Sequence, residues 1–373
     1  VLVTGSQGFI GQNLVVRLTE MPGVAVAEWH RGMPQQSLVD QVGETDIVFH
    51  LAGVNRPKDP EEFLSGNTEL TRTVVRAAEA TGRPIPIVLA SSTQATQDNP
   101  YGRSKRDAEG IVVDYARAHS AACRVYRLPN VFGKWSRPNY NSAVATFCHN
   151  VVHGLPVQVH DPAAPLRLVY VDDVCREFVA AIGSSEVRSD GEHSRMYAVD
   201  PVFETTVGAV AEVIQEFGRL RGTPSVGRVG EGLGRALYAT YLSFLPPSGF
   251  SYPVKRHVDP RGEFAEVVRT VDSGQVSYFT AHPGVTRGGH YHHTKNEKFL
   301  VLRGKARFRF EDLRTGATHS IEASGAEPEV VETVPGWAHD ITNIGHEEML
   351  VMLWANEAFD PGQPDTVARS LHG

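Results

Sequence analysis

The first eleven residues, "VLVTGSQGFIG", do most to limit what this chain can fold into. An apolar triplet of strand character runs into Gly5, Gly8 and Gly11, spaced T-G-x-x-G-x-x-G, and the helical run "IGQNLVVRLTE" follows at once. Glycines at this spacing permit a tight strand-to-helix turn and let the backbone come close to a pyrophosphate. The helix N-terminus adds free N–H groups and the positive end of its dipole. Gly5, Gly8, Phe9, Ile10 and Gly11 are therefore expected to line a dinucleotide site.

Apolar runs of strand length continue along the first two-thirds of the chain: "VAVAEW", "DIVFHLAG", "IPIVLASS", "CRVYRLPNVFG" and "LRLVYVDD". Between them lie stretches with apolar residues at helical spacing, such as "ELTRTVVRAAEATG" and "SKRDAEGIVVDYARAH". Such alternation predicts a Rossmann-type α/β fold, a doubly wound parallel sheet with helices on both faces. The second strand ends in "EWHRG". An acid there would bind the ribose 2′-hydroxyl of NAD, whereas an arginine favours the 2′-phosphate of NADP. Arg31 is thus a candidate phosphate clamp, with NADPH as the expected cofactor, the other reading being an ordinary solvated arginine.

"ASSTQATQDNPYGRSK" contains Ser92 and the sequence Tyr101-Gly-Arg-Ser-Lys105. Y-x-x-x-K places both side chains on one helical face, one turn apart. A phenol with a pKa of about 10 is a poor acid–base at neutral pH. A neighbouring ammonium is expected to lower that pKa, so that Tyr101 exchanges a proton during hydride transfer while Ser92 binds the substrate oxygen. Residues 1–245 resemble the extended short-chain dehydrogenase/reductases, the nucleotide-sugar epimerases, dehydratases and reductases; "HLAG" (50–53), Asn67, "RLPNVFG" (127–133) and "YVDDV" (170–174) match their pattern. The resemblance implies that His30, Leu51, Ala52, Tyr101 and Lys105 also contact the cofactor. Ser92 and Tyr101 lie closer in sequence than is usual in that family, which leaves Thr93 as an alternative to Ser92.

The texture changes near "LSFLPPSGFSYP", and a boundary is expected at Pro246, separating residues 1–245 from 246–373. The later runs "QVSYFTA", "EKFLVLRGKARFRFED", "PEVVETVPG" and "EMLVMLWAN" are strand-like and divided by Gly and Pro turns, which predicts an all-β barrel or sandwich. His290, His292 and Glu297 fit the first cupin motif, H-x-H-x(3,4)-E-x(6)-G, which ends at Gly304. "PGWAHDITN" (335–343) fits the second, with His339 at the ligand position and Asn343 beyond it. Alternation along a strand sends His290 and His292 to one face, and with Glu297 and His339 they form an N/O set suited to Zn²⁺ or another divalent metal. His293 remains an alternative to His292. "DPRGEFAEV" (259–267), with Arg261, is similar to the entry strand of the dTDP-sugar 3,5-epimerases, but their catalytic His–Asp arrangement is not matched.

Taken whole, the chain resembles the bifunctional family of capsular polysaccharide assembling protein F, a reductase fused to a metal-binding cupin. "HLAGVNRP", "SSTQATQDNPYG", "PNYNS", "FSYP", "HHTKNEKFLV" and "FDPGQPDT" carry the match. The resemblance implies a UDP-linked 4-keto-6-deoxy amino sugar as substrate, C3 epimerisation by the cupin, C4 reduction with NADPH, and a homodimer. It leaves the C3 base open among Tyr291, His293 and Lys295. Two other readings are a single-function reductase with the cupin as a binding or dimerisation module, and an epimerase or dehydratase that retains NAD.

A formal charge of −7 gives no reason to expect nucleic acid or an anionic membrane as partner. No apolar run approaches the roughly 20 residues of a membrane span. The chain opens directly on a strand, so no secretory leader and a cytoplasmic location are expected. Cys123, Cys148 and Cys175 lack metal or redox spacing and are expected to be buried thiols.

Overall fold

The computed structural model describes residues 1–183, 194–223, 225–254, 257–259, 262–264, 268–270, 274–357 and 362–371. Contacts divide the chain into two compact units, Val1–Ser142 with Leu166–Thr205, and Ala143–Pro165 with Thr206–Gly373. Pro246 lies inside the second unit, because the helices Ala143–Val152, Val207–Leu220 and Gly232–Leu242 pack on one another there.

The first unit is built on six parallel strands. Their spatial order is Ala27–Trp29, Leu2–Thr4, Val48–His50, Ile87–Ser92, Cys123–Leu128 and Ser194–Tyr197. The order reverses between Leu2–Thr4 and Val48–His50, which opens a crevice beyond the carboxyl ends of those strands. Leu2 and Val48 are buried with Val74, Val112 and Val125 in one apolar cluster beneath the helices Leu70–Ala80 and Pro100–His119. "LRLVYVDD" does not join this sheet. Its strand, Pro165–Tyr170, pairs with Asn130–Phe132 in a separate three-stranded sheet, and the sixth place is taken by Ser194–Tyr197.

The helix Pro100–His119 carries Tyr101 and Lys105 in its first two turns. Asn99 caps it by accepting from the Gly102 N–H at 2.7 Å, and Pro100 stands where a missing N–H costs nothing. Gly102 is obligatory: a Cβ there would collide with the carbonyls of Gln94 and Gln97, so only glycine lets the helix start sit on the short turn Thr93–Thr96.

In the second unit two five-stranded antiparallel sheets close over a common core in a cupin-like arrangement. One runs Ser251–Pro253, Glu329–Glu332, Glu297–Arg303, Met349–Ala355, Gln275–Ala281; the other Thr318–Ser324, Lys305–Asp312, Trp337–Asn343, Thr286–Tyr291, Val367–Ala368. Period-2 alternation sends Phe299 and Val301 from the first sheet, and Phe308, Phe310 and Ile341 from the second, into that core. His257–Asp259 and Gly262–Phe264 form a short hairpin; Arg261 lies outside the described residues. The three cysteines are free and buried. Among the described residues no helix is long and apolar enough to cross a membrane.

Candidate functional site

The glycine loop is built for close approach. Gly5 has φ +72°, and a Cβ on it would stand 2.7 Å from the Ala52 nitrogen, which fixes the loop against Leu51 and Ala52. A Cβ on Gly11 would run into the Gly5 carbonyl. The helix Phe9–Thr19 begins at Gly8 with no side-chain cap and no acid in its first turn, so its leading amides are open to an anion. This cradle, which any Cβ would fill, fits a dinucleotide pyrophosphate.

The Trp29 carbonyl accepts from the N–H groups of Gly5 at 2.7 Å and Ser6 at 3.3 Å, so His30 and Arg31 leave the sheet beside the glycine loop. Arg31 is exposed there. If it clamps the 2′-phosphate through a charge-assisted fork, Arg31→Ala should raise KM for NADPH by about tenfold or more and leave KM for NADH nearly unchanged. Equal changes for both cofactors would contradict the assignment.

Ser92 closes the central strand, where its hydroxyl accepts from the Gln94 N–H at 3.2 Å, while Thr93 is exposed. Burial pushes the Tyr101 phenol up, with Ser92 opposing. The expected lowering by Lys105 is not what this geometry delivers: Nζ stands 6.0 Å from the Tyr101 ring centre, and burial is the leading influence on the phenol. A phenol held protonated is suited to give a proton to a developing alkoxide. Lys105 Nζ donates to the Ala90 carbonyl at 3.2 Å, and desolvation lowers its pKa from 10.5 to about 8, with Glu109 opposing. The ammonium is therefore present below that pH and lost above it. Reduction should run on a plateau at lower pH and lose kcat as pH rises through about 8; a kcat independent of pH across that range would remove Lys105 from the proton-transfer step.

Polar contacts brace the surroundings of this pair, some from the family-pattern segments and some, such as Glu109 and Arg127, from residues that motif reading passed over. Glu109, one turn beyond Lys105, is gripped by Arg127 at 2.9 and 2.6 Å and accepts from Ser91, locking the helix to the strand that ends in Ser92. Asn67 binds both the N–H and the carbonyl of Val54, at 2.8 and 3.0 Å, and donates to Ser104 at 2.9 Å. His50 is buried between the hydroxyls of Thr4 at 2.7 Å and Thr71 at 2.9 Å. Burial first, then Lys105, lowers its pKa to about 3, so it stays neutral. Asp172, from "YVDDV", forms a buried ion pair with Lys134 at 2.8 Å.

In the second unit the four sequence-predicted ligands converge. His290 and His339 sit directly opposite each other on paired strands, His292 follows two residues on, and Glu297 opens the next strand. One ligand atom from each lies within 4.8 Å of all the others. Glu297 Oε2 is 3.2 Å from His292 Nε2, 3.5 Å from His339 Nε2 and 4.0 Å from His290 Nε2. These imidazoles hold Glu297 well below the usual carboxylate range in spite of its burial, and burial lowers the His339 pKa to about 4.

Two observations show that the group fits a cation. Neither ring nitrogen of His339 has a hydrogen-bond partner although the residue is 4% exposed, an arrangement that is costly unless something else binds there. His292 Nδ1 meets the Asp365 carbonyl, so Nδ1 is the donor there, and Nε2, 3.2 Å from Glu297 Oε2, is the ring atom turned to the cluster. In the neutral ring this sets an acceptor against a carboxylate, an arrangement that a bound cation would relieve. His293 instead packs edge-on against Tyr291, ring centres 5.5 Å apart, and is not part of the cluster. Lys295 Nζ stands 3.0 Å from Glu297 Oε1. Asn343 is structural, donating to the carbonyls of Ala281 and Glu347.

Residues 1–196 match the NAD dependent epimerase/dehydratase family, and residues 257–367 match the polysaccharide biosynthesis C-terminal domain. Over its full 373 residues the chain is 52% identical to UDP-2-acetamido-2,6-beta-L-arabino-hexul-4-ose reductase of Pseudomonas aeruginosa, covering 98% of that protein. It is also 40% identical to a crystal structure of capsular polysaccharide assembling protein CapF from Staphylococcus aureus, with 99% of each chain covered and a TM-score of 0.67. The chain belongs to the CapF-like branch of the NAD dependent epimerase/dehydratase family. The resemblance read from its motifs is thereby borne out, and so is the order of a Rossmann-like parallel sheet followed by an antiparallel β domain. A UDP-glucuronic acid 4-epimerase from Bacillus cereus in complex with NAD shares the nucleotide-binding fold at 17% identity, covering 58% of this chain and 83% of that one with a TM-score of 0.52.

Proposed function

We propose that this CapF-like chain carries out two consecutive steps on a UDP-2-acetamido-2,6-dideoxy-hexos-4-ulose: inversion at C3 by the cupin-like domain, then reduction at C4 by the nucleotide-binding domain. The product lies on the route to UDP-N-acetyl-L-fucosamine, a capsule precursor. The residues for the two steps fall on either side of the proposed 245/246 boundary. The observation that carries the proposal is the 52% end-to-end identity with a reductase of a UDP-linked hexul-4-ose.

The order follows from carbonyl chemistry. A proton at C3 is acidic only while C4 is a ketone, because the carbanion is then an enolate; reduction removes that acidity and fixes the configuration. NADPH, when bound, supplies the hydride. Ser92 holds the C4 oxygen, Tyr101 gives it a proton, and the Lys105 ammonium stabilises the phenolate left behind. His290, His292, Glu297 and His339 would hold a divalent cation, Zn²⁺ in this proposal, whose Lewis acidity suits a C4 carbonyl. Of the three candidate bases Lys295 has its reactive atom 3.0 Å from Glu297 Oε1 of this cluster, whereas the Tyr291 and His293 rings pack edge-on against each other. We assign proton transfer at C3 to Lys295.

The test is stoichiometry with the purified protein. One NADPH should be oxidised per 4-keto sugar consumed, with no nucleotide retained after gel filtration. Tightly held NAD and reduction of the C4 ketone without added NADPH would sink the proposal.

A further inference from the structure

Residues 362–371 run back across the histidine loop. Val367–Ala368 pairs antiparallel with the end of Thr286–Tyr291, with Ala368 opposite His290 and Val367 opposite Tyr291. The Arg369 N–H donates to the Gly289 carbonyl at 2.7 Å. Where this segment passes the turn between His292 and Glu297, Asp365 takes hold of it. Its Oδ1 accepts the His293 N–H at 2.9 Å, and its Oδ2 accepts the N–H groups of Thr294 at 2.7 Å and Lys295 at 2.8 Å and the Thr294 hydroxyl at 2.9 Å. The Asp365 main-chain carbonyl receives Nδ1 of His292.

These contacts act on the cluster from both ends of the turn. The carbonyl keeps the proton on His292 Nδ1, so Nε2 is the atom free to ligate, and it fixes the plane of the ring. The carboxylate gathers three successive amides, and this shapes the turn that delivers Lys295 Nζ to Glu297. A side-chain carboxylate that clasps three backbone amides in this way is satisfied only while the turn keeps this closed form. Closure therefore favours the cation-binding geometry, and cation binding favours closure by the same free energy.

We propose that Asp365 is a positioning residue for the metal centre, coupling the C-terminal segment to the geometry of His292 and Lys295. This rests on reading the His290, His292, Glu297 and His339 cluster as a metal site. The experiment uses the full chain and Zn²⁺ in competition with a chromophoric chelator, with Co²⁺ absorption as the report on ligand geometry. Asp365→Asn should weaken Zn²⁺ by about 10–100-fold and change the Co²⁺ visible bands, with Asp365→Glu recovering part of the loss. Unchanged affinity and unchanged Co²⁺ bands in a folded Asp365→Asn protein would overturn the proposal. If that variant does not fold, the wild-type protein decides. Amides 293–295 should exchange hydrogen more slowly with Zn²⁺ than without it, and equal rates would overturn the coupling. A wild-type chain that binds no Zn²⁺ at all would instead refute the metal reading on which the proposal stands.

Discussion

His290→Ala is expected to abolish deuterium exchange at C3 while the chain still reduces substrate that is already inverted. His290 lies opposite His339 in the strand register, and its Nε2 is one of the three nitrogens grouped around Glu297 Oε2. Removing it would leave the proposed cation with one fewer protein ligand and Glu297 with one fewer stabilising imidazole. Because metal binding is linked to folding, occupancy and the melting temperature of the cupin-like domain should fall together. Exchange should be lost by a factor of about a hundred or more even well below that melting temperature, if the cation polarises the C4 carbonyl. A purely structural cation predicts exchange in proportion to the folded fraction. Wild-type protein that contains no metal by elemental analysis and exchanges C3 after chelation would contradict both versions.

Tyr101→Phe should produce the opposite pattern. Burial keeps the phenol protonated, which suits the part of proton donor proposed for it. Without the hydroxyl, NADPH oxidation should fall by about 10²–10⁴-fold, because the alkoxide at C4 would form with no acid beside it. Phenylalanine fills nearly the same volume, so folding should be preserved. Exchange at C3, assigned in this proposal to groups of the other unit, should continue at the wild-type rate. Loss of both activities in a folded Tyr101→Phe protein would mean that the two steps are not divided as proposed.

The parts that could be read from the chain were those in which chemistry is written in local spacing. Gly5, Gly8 and Gly11 turn a strand into a helix within one stretch, Tyr101 and Lys105 share a helical face, and His290 and His339 each sit on a strand at its motif's ligand position. Each reading needed only the period of its own element. What escaped depended on residues far apart in sequence. Glu109 and Arg127 meet because neighbouring elements stack, and no pattern in either segment announces the pair. Asp365 reaches a turn some seventy residues earlier in the chain. The ambiguity between His292 and His293 could not be resolved by alternation, because both lie beyond the strand that ends at Tyr291; the Asp365 carbonyl and the Tyr291 ring separate them. The lowering of the Tyr101 pKa failed as an expectation for a related reason. One helical turn fixes which residues are neighbours but not how deeply they are buried, and here burial is the leading influence on the phenol.

The division into two reactions is tested most directly by incubating the wild-type protein with the UDP-linked 2-acetamido-2,6-dideoxy-hexos-4-ulose in D₂O and following C3 by NMR, first without NADPH and then after its addition. Without NADPH, deuterium should appear at C3, the C4 ketone should remain, and chelation of the cation should stop the exchange. On addition of NADPH the ketone should disappear with the label retained at C3. Reduction that proceeds with no deuterium entering C3 at any stage would contradict the proposed sequence and leave the cupin-like domain without a catalytic part.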